Sequence, residues 1–263
     1  MIRALHSSAA GMQSQQMSLD VIANNLANVQ TTAFKKSKIE FQDVLYQSVR
    51  QPGSAQGQGA FLPTGIEIGN GSQAVATAKN FSTGELVQTG DPYNIAIQGD
   101  GFFQVTLPDN SFAYTRDGAF KLNRDGQIVT SDGLLITLGG VEVPEGTVNI
   151  EVSTNGTVSA LIGGQEQVAE LGQIPLFRFR NPAGLQSIGR NLYTQNQASG
   201  EFVQGVPGEL GFGTLNQGAI EKSNVKVIEE MVNMIVAQRA FEVNSKAIKS
   251  ADEMMSQTNN LKR

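Results

Sequence analysis

Apolar side chains recur with a helical rhythm through the first 29 residues. Leu5, Ala9, Met12, Gln16, Leu19, Ala23 and Leu26 are spaced four, three, four, three, four, three, a heptad seam with Gln16 as its one polar interruption. Ile22 and Val29 widen the stripe, while Asn24, Asn25 and Asn28 sit where helix propensity is falling. The pattern predicts a helix from about residue 3 to about 28. The last forty residues repeat the design. Val227, Met231, Met234, Gln238, Phe241, Ser245, Ile248, Asp252 and Met255 keep the four-three spacing, with Ile228, Val232 and Ile235 beside them. Ser223 or Asn224 is expected to cap this second helix, and Glu229 and Glu230 suit its positive end.

Between the helices the period shortens to two. Segments 93–97, 112–115, 120–122, 148–152 and 158–162 alternate or nearly so. Asp-Gly at 100, 117, 125 and 132, Asn155-Gly156 and Gly163-Gly164 separate them, and such dipeptides favour positive φ and tight turns. This reads as short antiparallel strands. Residues 31–70 fit neither pattern: Ile39, Phe41, Val44 and Leu45 suggest a short helix or strand, and 51–59 are too poor in apolar groups to fold alone.

The fold class expected is therefore α+β: paired N- and C-terminal helices forming a coiled-coil domain, a central all-β domain, and an extended arm. The boundaries drawn are 1–30 for the first helix, 31–70 for linker and arm, 71–221 for the β-rich domain and 222–263 for the second helix. A two-helix ribbon leaves part of each broad apolar face wet, and helices in water depend on packing of that face. Copies of the same chain can supply it, and a repeated head-to-tail contact that does not close gives an open helical filament. The seam residues expected at such an interface are Leu5, Met12, Leu19, Leu26, Val227, Met231, Met234, Phe241 and Ile248. Terminal helices folded back on an ordinary monomer are the competing reading.

Composition narrows the chemistry. The chain has 263 residues, 40% apolar, with no Cys, so disulfides, thiolate nucleophiles and cysteine-ligated metals are excluded. Residues 71–221 carry 7 basic and 15 acidic side chains, a balance of −8, and residues 222–263 carry 7 and 5, a balance of +2. An acidic middle repels phosphates, so no nucleic-acid partner is expected. The start of the chain lacks the apolar run of a cleavable signal peptide, and no stretch approaches the roughly 20 apolar residues of a spanning helix.

Candidate chemical motifs have structural explanations. His6 is the only histidine and has no acidic cluster, so neither a triad nor a two-histidine metal site can be built on it. The repeated Asp residues precede Gly and read as turn formers rather than paired acids. Ser223-Asn224-Val225-Lys226 lacks companion motifs, and Gly99-Asp100-Gly101 lacks the third glycine of a dinucleotide loop. No catalytic residue, metal or cofactor is expected.

Three separated segments resemble the bacterial flagellar rod and hook family. They are Leu19 to Lys35 (LDVIANNLANVQTTAFK), then Ile97 to Val105 with Tyr114 to Phe120 (IQGDGFFQV, YTRDGAF), then Ser223 to Ala247 with its EMVNMI and QRAFEVNSKA runs. Ala33 stands where many relatives have Gly. The segment from Tyr46 to Gly53, with Leu62-Pro63-Thr64-Gly65 after it, is similar to the distal-rod branch of the family. That resemblance implies a homo-polymer, a rigid hollow rod transmitting torque from motor to hook. It also implies export by the type III apparatus without signal cleavage, and a periplasm-spanning place in the basal body. The implied neighbours are proximal-rod and hook proteins or their adaptors and the surrounding peptidoglycan and outer-membrane ring proteins. Residues 46 to about 69 are implied to be a stiffening arm, with Tyr46, Arg50, Pro52, Leu62 and Pro63 as its marks. A proximal-rod or hook subunit remains an alternative, as does, from another class, a secreted β-rich hydrolase or glycan-binding module.

Overall fold

In the computed structural model the described residues are 2–51, 55–56, 60–61, 63–137, 143–163 and 168–260. By its internal contacts the chain divides into two units, one made of Met1–Leu26, Ser37–Ala78 and Lys226–Arg263, the other of Ala27–Lys36 and Lys79–Val225. Two terminal helices and a strand-rich middle make the chain α+β.

The first unit contains helix α1 (Ile2–Ala27) and helix α2 (Val227–Asn260). Helix α2 begins three residues after the expected cap, because the Asn224 side chain is already committed to loop carbonyls, donating to Asn80 and Ser82. The rest of the unit is a β-ribbon. Strand β1 (Ser37–Asp43) pairs with Ser72–Lys79, β2 (Gln47–Arg50) pairs antiparallel with Ile66–Ile68, and β3 (Ala55–Gln56) pairs antiparallel with Ala60–Phe61. The register steps from Gln47 opposite Ile68 to Gln56 opposite Ala60, and Val44 N–H donates to Gly71 O at 2.9 Å. The stretch that sequence left between linker and arm thus satisfies much of its backbone by pairing with itself.

The second unit is built of short strands. A seven-stranded sheet runs in the order Lys121–Leu122, Ile128–Val129, Leu135–Ile136, Phe103–Thr106, Phe112–Thr115, Leu192–Thr194, Gln186–Gly189. A three-stranded meander (Thr147–Val152, Thr157–Ile162, Val168–Gln173) and three strand pairs accompany it. Ile95, Ile97, Phe103, Val105, Phe120, Val158, Leu176 and Leu215 form the main core. A separate aromatic cluster gathers Phe102, Tyr114, Phe177, Phe179 and Tyr193, with Tyr114 edge-on to Phe179 at 4.7 Å between ring centroids.

Gly126, Gly133 and Gly156 take positive φ at their turns, as their dipeptides foretell. Gly118 does not. It is glycine for lack of room: a Cβ there would fall on the Ile95 carbonyl oxygen, whose own N–H donates to Gly118 O at 3.0 Å. Gly118→Ala is therefore expected to cost about 3 kcal/mol by urea unfolding, since backbone rather than a flexible side chain must yield. Gly133→Ala, where open space surrounds the site, should lose only the smaller penalty of positive φ, about 1 kcal/mol.

Candidate assembly interface

Helix α2 carries apolar residues on two opposite faces. The inward line is Glu230, Met234, Ala237, Asn244, Ile248 and Ala251, with Glu230, Ala237 and Ala251 buried. The opposite face is bare: Ile228 is 79% exposed, Val232 54%, Ile235 56% and Val236 62%, and Val243 continues the stripe. The single seam drawn from four-three spacing is divided by this arrangement. Val227 and Met231 lie exposed, Met234 and Ile248 are half-buried, and Phe241 sits at the margin. A straight helix drifts about 20° per heptad against a strict seven-residue repeat, so early members point out and late ones in.

On α1 the residues Leu5, Met12, Leu19 and Leu26 are all half-buried. The deeply buried positions are instead Ser14, Ile22 and Asn25, with Gly11 on the same side. Ser14 Oγ donates to Ser72 O at 3.1 Å. Asn25 holds both backbone groups of Ser37, donating to its carbonyl and accepting its N–H, each at 2.9 Å. Small and polar side chains occupy this line because backbone comes close enough to bond them. The hydrophobic seam could not point to them, although Asn25 stands within the quoted amino-terminal segment.

Helices α1 and α2 touch at two levels. Asn25 Nδ2 donates to Glu230 Oε2 at 3.4 Å, and a Cβ on Gly11 would lie 3.0 Å from the Asn244 amide. Of the arm residues, Tyr46 is exposed, its ring beside Gly69 and its hydroxyl bonded to Asp43, whose carboxylate pushes the phenol pKa up. Arg50 is half-buried at the end of β2, and Pro63 is exposed. Pro52 and Leu62 lie outside the described residues.

The second unit holds a buried charge cluster. Glu221 is fully buried, and Oε1 accepts from Lys35 Nζ at 2.6 Å and from Gly84 N–H at 2.7 Å, while Oε2 accepts from Arg116 Nε at 3.3 Å. Lys35 Nζ also donates to Ser82 O at 2.8 Å, and the Arg116 guanidinium donates to Gly99 O. Around the cluster Ala33 adopts the left-handed conformation, φ 55°, and its N–H donates to Glu221 O at 2.7 Å. The turn is thus made with alanine, its methyl buried. Lys36 N–H donates to Asn224 Oδ1 at 2.8 Å. Two cations share one carboxylate, so burial first and the Arg116 charge second draw the Lys35 pKa down to about 8.

Profiles of three flagellar domains match the chain. Residues 5–35 match the flagella basal body rod protein family, 96–160 the flagellar hook protein FlgE/F/G D1 domain, and 216–261 the flagellar basal body rod FlgEFG protein C-terminal region. The Borreliella burgdorferi flagellar basal-body rod protein FlgG is 46% identical over 265 residues, covering 100% of both chains. The chain belongs to the flagellar rod and hook family. Within Bacillus subtilis the FlgG relative is 39% identical over 267 residues, and the flagellar hook-basal body complex protein FlhP is 28% identical over 277 residues, both at full coverage of each chain. Each of the three family matches contributes one member of the buried cluster: Lys35, Arg116 and Glu221. Read singly along the chain, these residues look like ordinary surface charges, so periodicity passes over them.

The cluster gives a pH test. Folded Lys35 titrates near 8 while an unfolded lysine titrates near 10.5, so between these values the unfolded chain binds more protons and stability rises with pH. The gain expected from pH 8 to 9.5 is roughly 1.5 kcal/mol in urea titrations of the monomer. Tyr193, held up to about 12 by burial, opposes this only above the ordinary tyrosine range. Lys35→Met should remove most of the rise, leaving the part contributed by Lys79, whose pKa burial also lowers.

Proposed function

We propose that the chain is a structural subunit that polymerises into the rigid hollow distal rod of the bacterial flagellum and transmits torque from motor to hook. The observation that carries the reading is the second apolar face of α2, exposed from Val227 to Val243 in the monomer. A contiguous apolar face left exposed at one place marks an interaction site. Relatives aligned over the whole chain are named basal-body rod proteins, which supports reading this surface as one that serves such an assembly.

In this reading α1 and α2 form an antiparallel coiled coil. Their two contacts, residue 25 with 230 and residue 11 with 244, are separated by the same fourteen residues on each helix, about 21 Å. Met234 and Ile248 serve the pairing within a chain, and Val227, Met231 and Phe241 serve contacts between chains. Leu5, Met12, Leu19 and Leu26 complete the seam as neighbours arrive. The ribbon bearing Tyr46, Arg50 and Pro63 braces adjacent subunits and stiffens the rod. The boundaries 1–30, 31–70, 71–221 and 222–263 are the functional division: inner helix, arm, outer body, inner helix. The chain spans the periplasm within the peptidoglycan and outer-membrane rings, meets proximal-rod and hook proteins or their adaptors, and leaves the cytoplasm by type III export with no cleaved signal.

Ile235→Asp is expected to raise the critical concentration for polymerisation by at least roughly tenfold, because an unpaired carboxylate must be dehydrated at the contact. The circular dichroism of the monomer should be unchanged, since Ile235 touches water there. Filaments formed at the normal concentration would remove the basis for the assembly face. Deleting residues 50–65 separates the distal rod from its relatives: polymers should form but bend more freely in electron micrographs. Unaltered stiffness would favour a proximal-rod or hook subunit.

A further inference from the structure

The bare face of α2 has a complement on the same unit. A cleft of 620 Å³ runs between α1 and the ribbon, lined on the helix side by Arg3, His6, Gln13 and Met17 and opposite by Gln47 and Gln73. A second, more apolar hollow of 410 Å³ shares Met17 with it and is lined by Asp20 and Val21 on the helix and by Ile39 and Val75 on the ribbon. Positions 3, 6, 10, 13, 17 and 20 recur at three and four, so a single stripe of α1 floors both hollows. Among the described residues lining the larger cleft there is a guanidinium, an imidazole and several amides, but no carboxylate.

The outer face of α2 has the reverse sequence of properties. From Ile228 to Val236 it is aliphatic, and then Glu242 rises from it, exposed and paired with Arg239 three residues back at 3.1 Å. An exposed pair of this kind contributes little, so the carboxylate can be shared at small cost. Ile228 to Glu242 spans about 21 Å of helix, and Val21 to His6 spans about 22 Å.

Resting on the rod reading, we propose that the outer face of α2 from a second copy lies in this cleft, antiparallel to α1. Ile228 and Val232 fill the hollow at Met17, Val21 and Val75, and Glu242 meets Arg3 and His6. The reverse direction fails, because it sets the aliphatic end against the amides and the charged end against Ile39 and Val75. The contact joins different surfaces of two copies, so each subunit offers one free groove and one free helix face. Such a contact propagates as an open helix rather than closing as a dimer.

The chain has no cysteine, which makes cross-linking clean. Met17→Cys and Val232→Cys chains are prepared separately, each diluted about tenfold into unaltered protein so that the polymer forms normally, then oxidised alone or together. Disulfide-linked dimers are expected only when the two are mixed. Dimers from Val232→Cys alone would mean that α2 faces pack on each other, and no dimers from the mixture would mean that the cleft is filled otherwise; either overturns the assignment. As a second measurement, Glu242→Arg and Arg3→Glu should each raise the critical concentration about tenfold, and the two together in one chain should restore it to within about twofold. A defect that persists in the double variant removes the charge pairing. If instead the unaltered protein stays a monomer at high concentration under assembly-promoting conditions, it is the rod reading that falls.

Discussion

Helix α2 has more apolar surface than one chain can cover. Its inner line is satisfied by small residues and a few half-buried large ones, which lets neighbouring backbone come close, while bulky β-branched side chains are left on the other side. In an ordinary soluble monomer this distribution would be inverted, with Ile and Val inward and Glu and Asn outward. Here Glu230 and Asn244 face the interior of the unit. The chain accepts a polar internal contact, held by the Asn25 amide, and leaves bulky aliphatic side chains of α2 exposed. In the assembly we propose, association draws on burial that folding of the monomer has not used.

The Glu221 cluster works by a different logic. Removing two cations and an anion from water is costly, and such a group seldom stabilises a fold more than well-packed apolar residues would. What it does is penalise alternatives, because any arrangement that separates Glu221 from Lys35 or Arg116 strands a dehydrated charge. The residues it fixes lie where the chain passes between its two units: Ala33 and Lys36 on one side, Glu221 and Asn224 on the other, with backbone at Ser82 and Gly84 between them. Their mutual hydrogen bonds make these segments one body.

Both terminal helices, the strands at 95–98, 112–115, 121–122, 147–152 and 157–162, and several turn glycines were legible in the sequence, since each is written in a local period or a dipeptide. Three features were not, and each for a physical reason. The division of α2 into two faces escaped a four-three count because that count ignores the slow drift of a straight helix, and only burial shows where Met231 and Met234 part company. Gly118 looked like a turn glycine, yet its constraint is a carbonyl twenty-three residues earlier in the chain, at Ile95. Lys35, Arg116 and Glu221 are far apart in sequence, and no local pattern announces that three charges will meet without water. The ribbon of residues 37–79 was half legible: Ile39, Phe41, Val44 and Leu45 suggested structure, but pairing is non-local and 51–59 offered no apolar signal.

The ribbon adds a step to the case for assembly that does not depend on either helix. A two-stranded ribbon alone is marginal in water, and its unpaired outer edges invite further strands or side chains. In β2 and its partner strand, Val49, Ile66 and Ile68 are exposed, and Leu45 just before β2 is almost wholly so. Apolar residues on a thin exposed ribbon stabilise nothing until a surface meets them. The same chain therefore leaves two elements incompletely covered, one helical and one extended, both in the unit that contains its termini. A neighbour that covers both gains their hydrophobic contribution together, whereas one that covers either alone must still order the other. In the assembly we propose, that coupling raises affinity at a site presenting both surfaces at once, and so favours addition at a growing end over random pairing in solution.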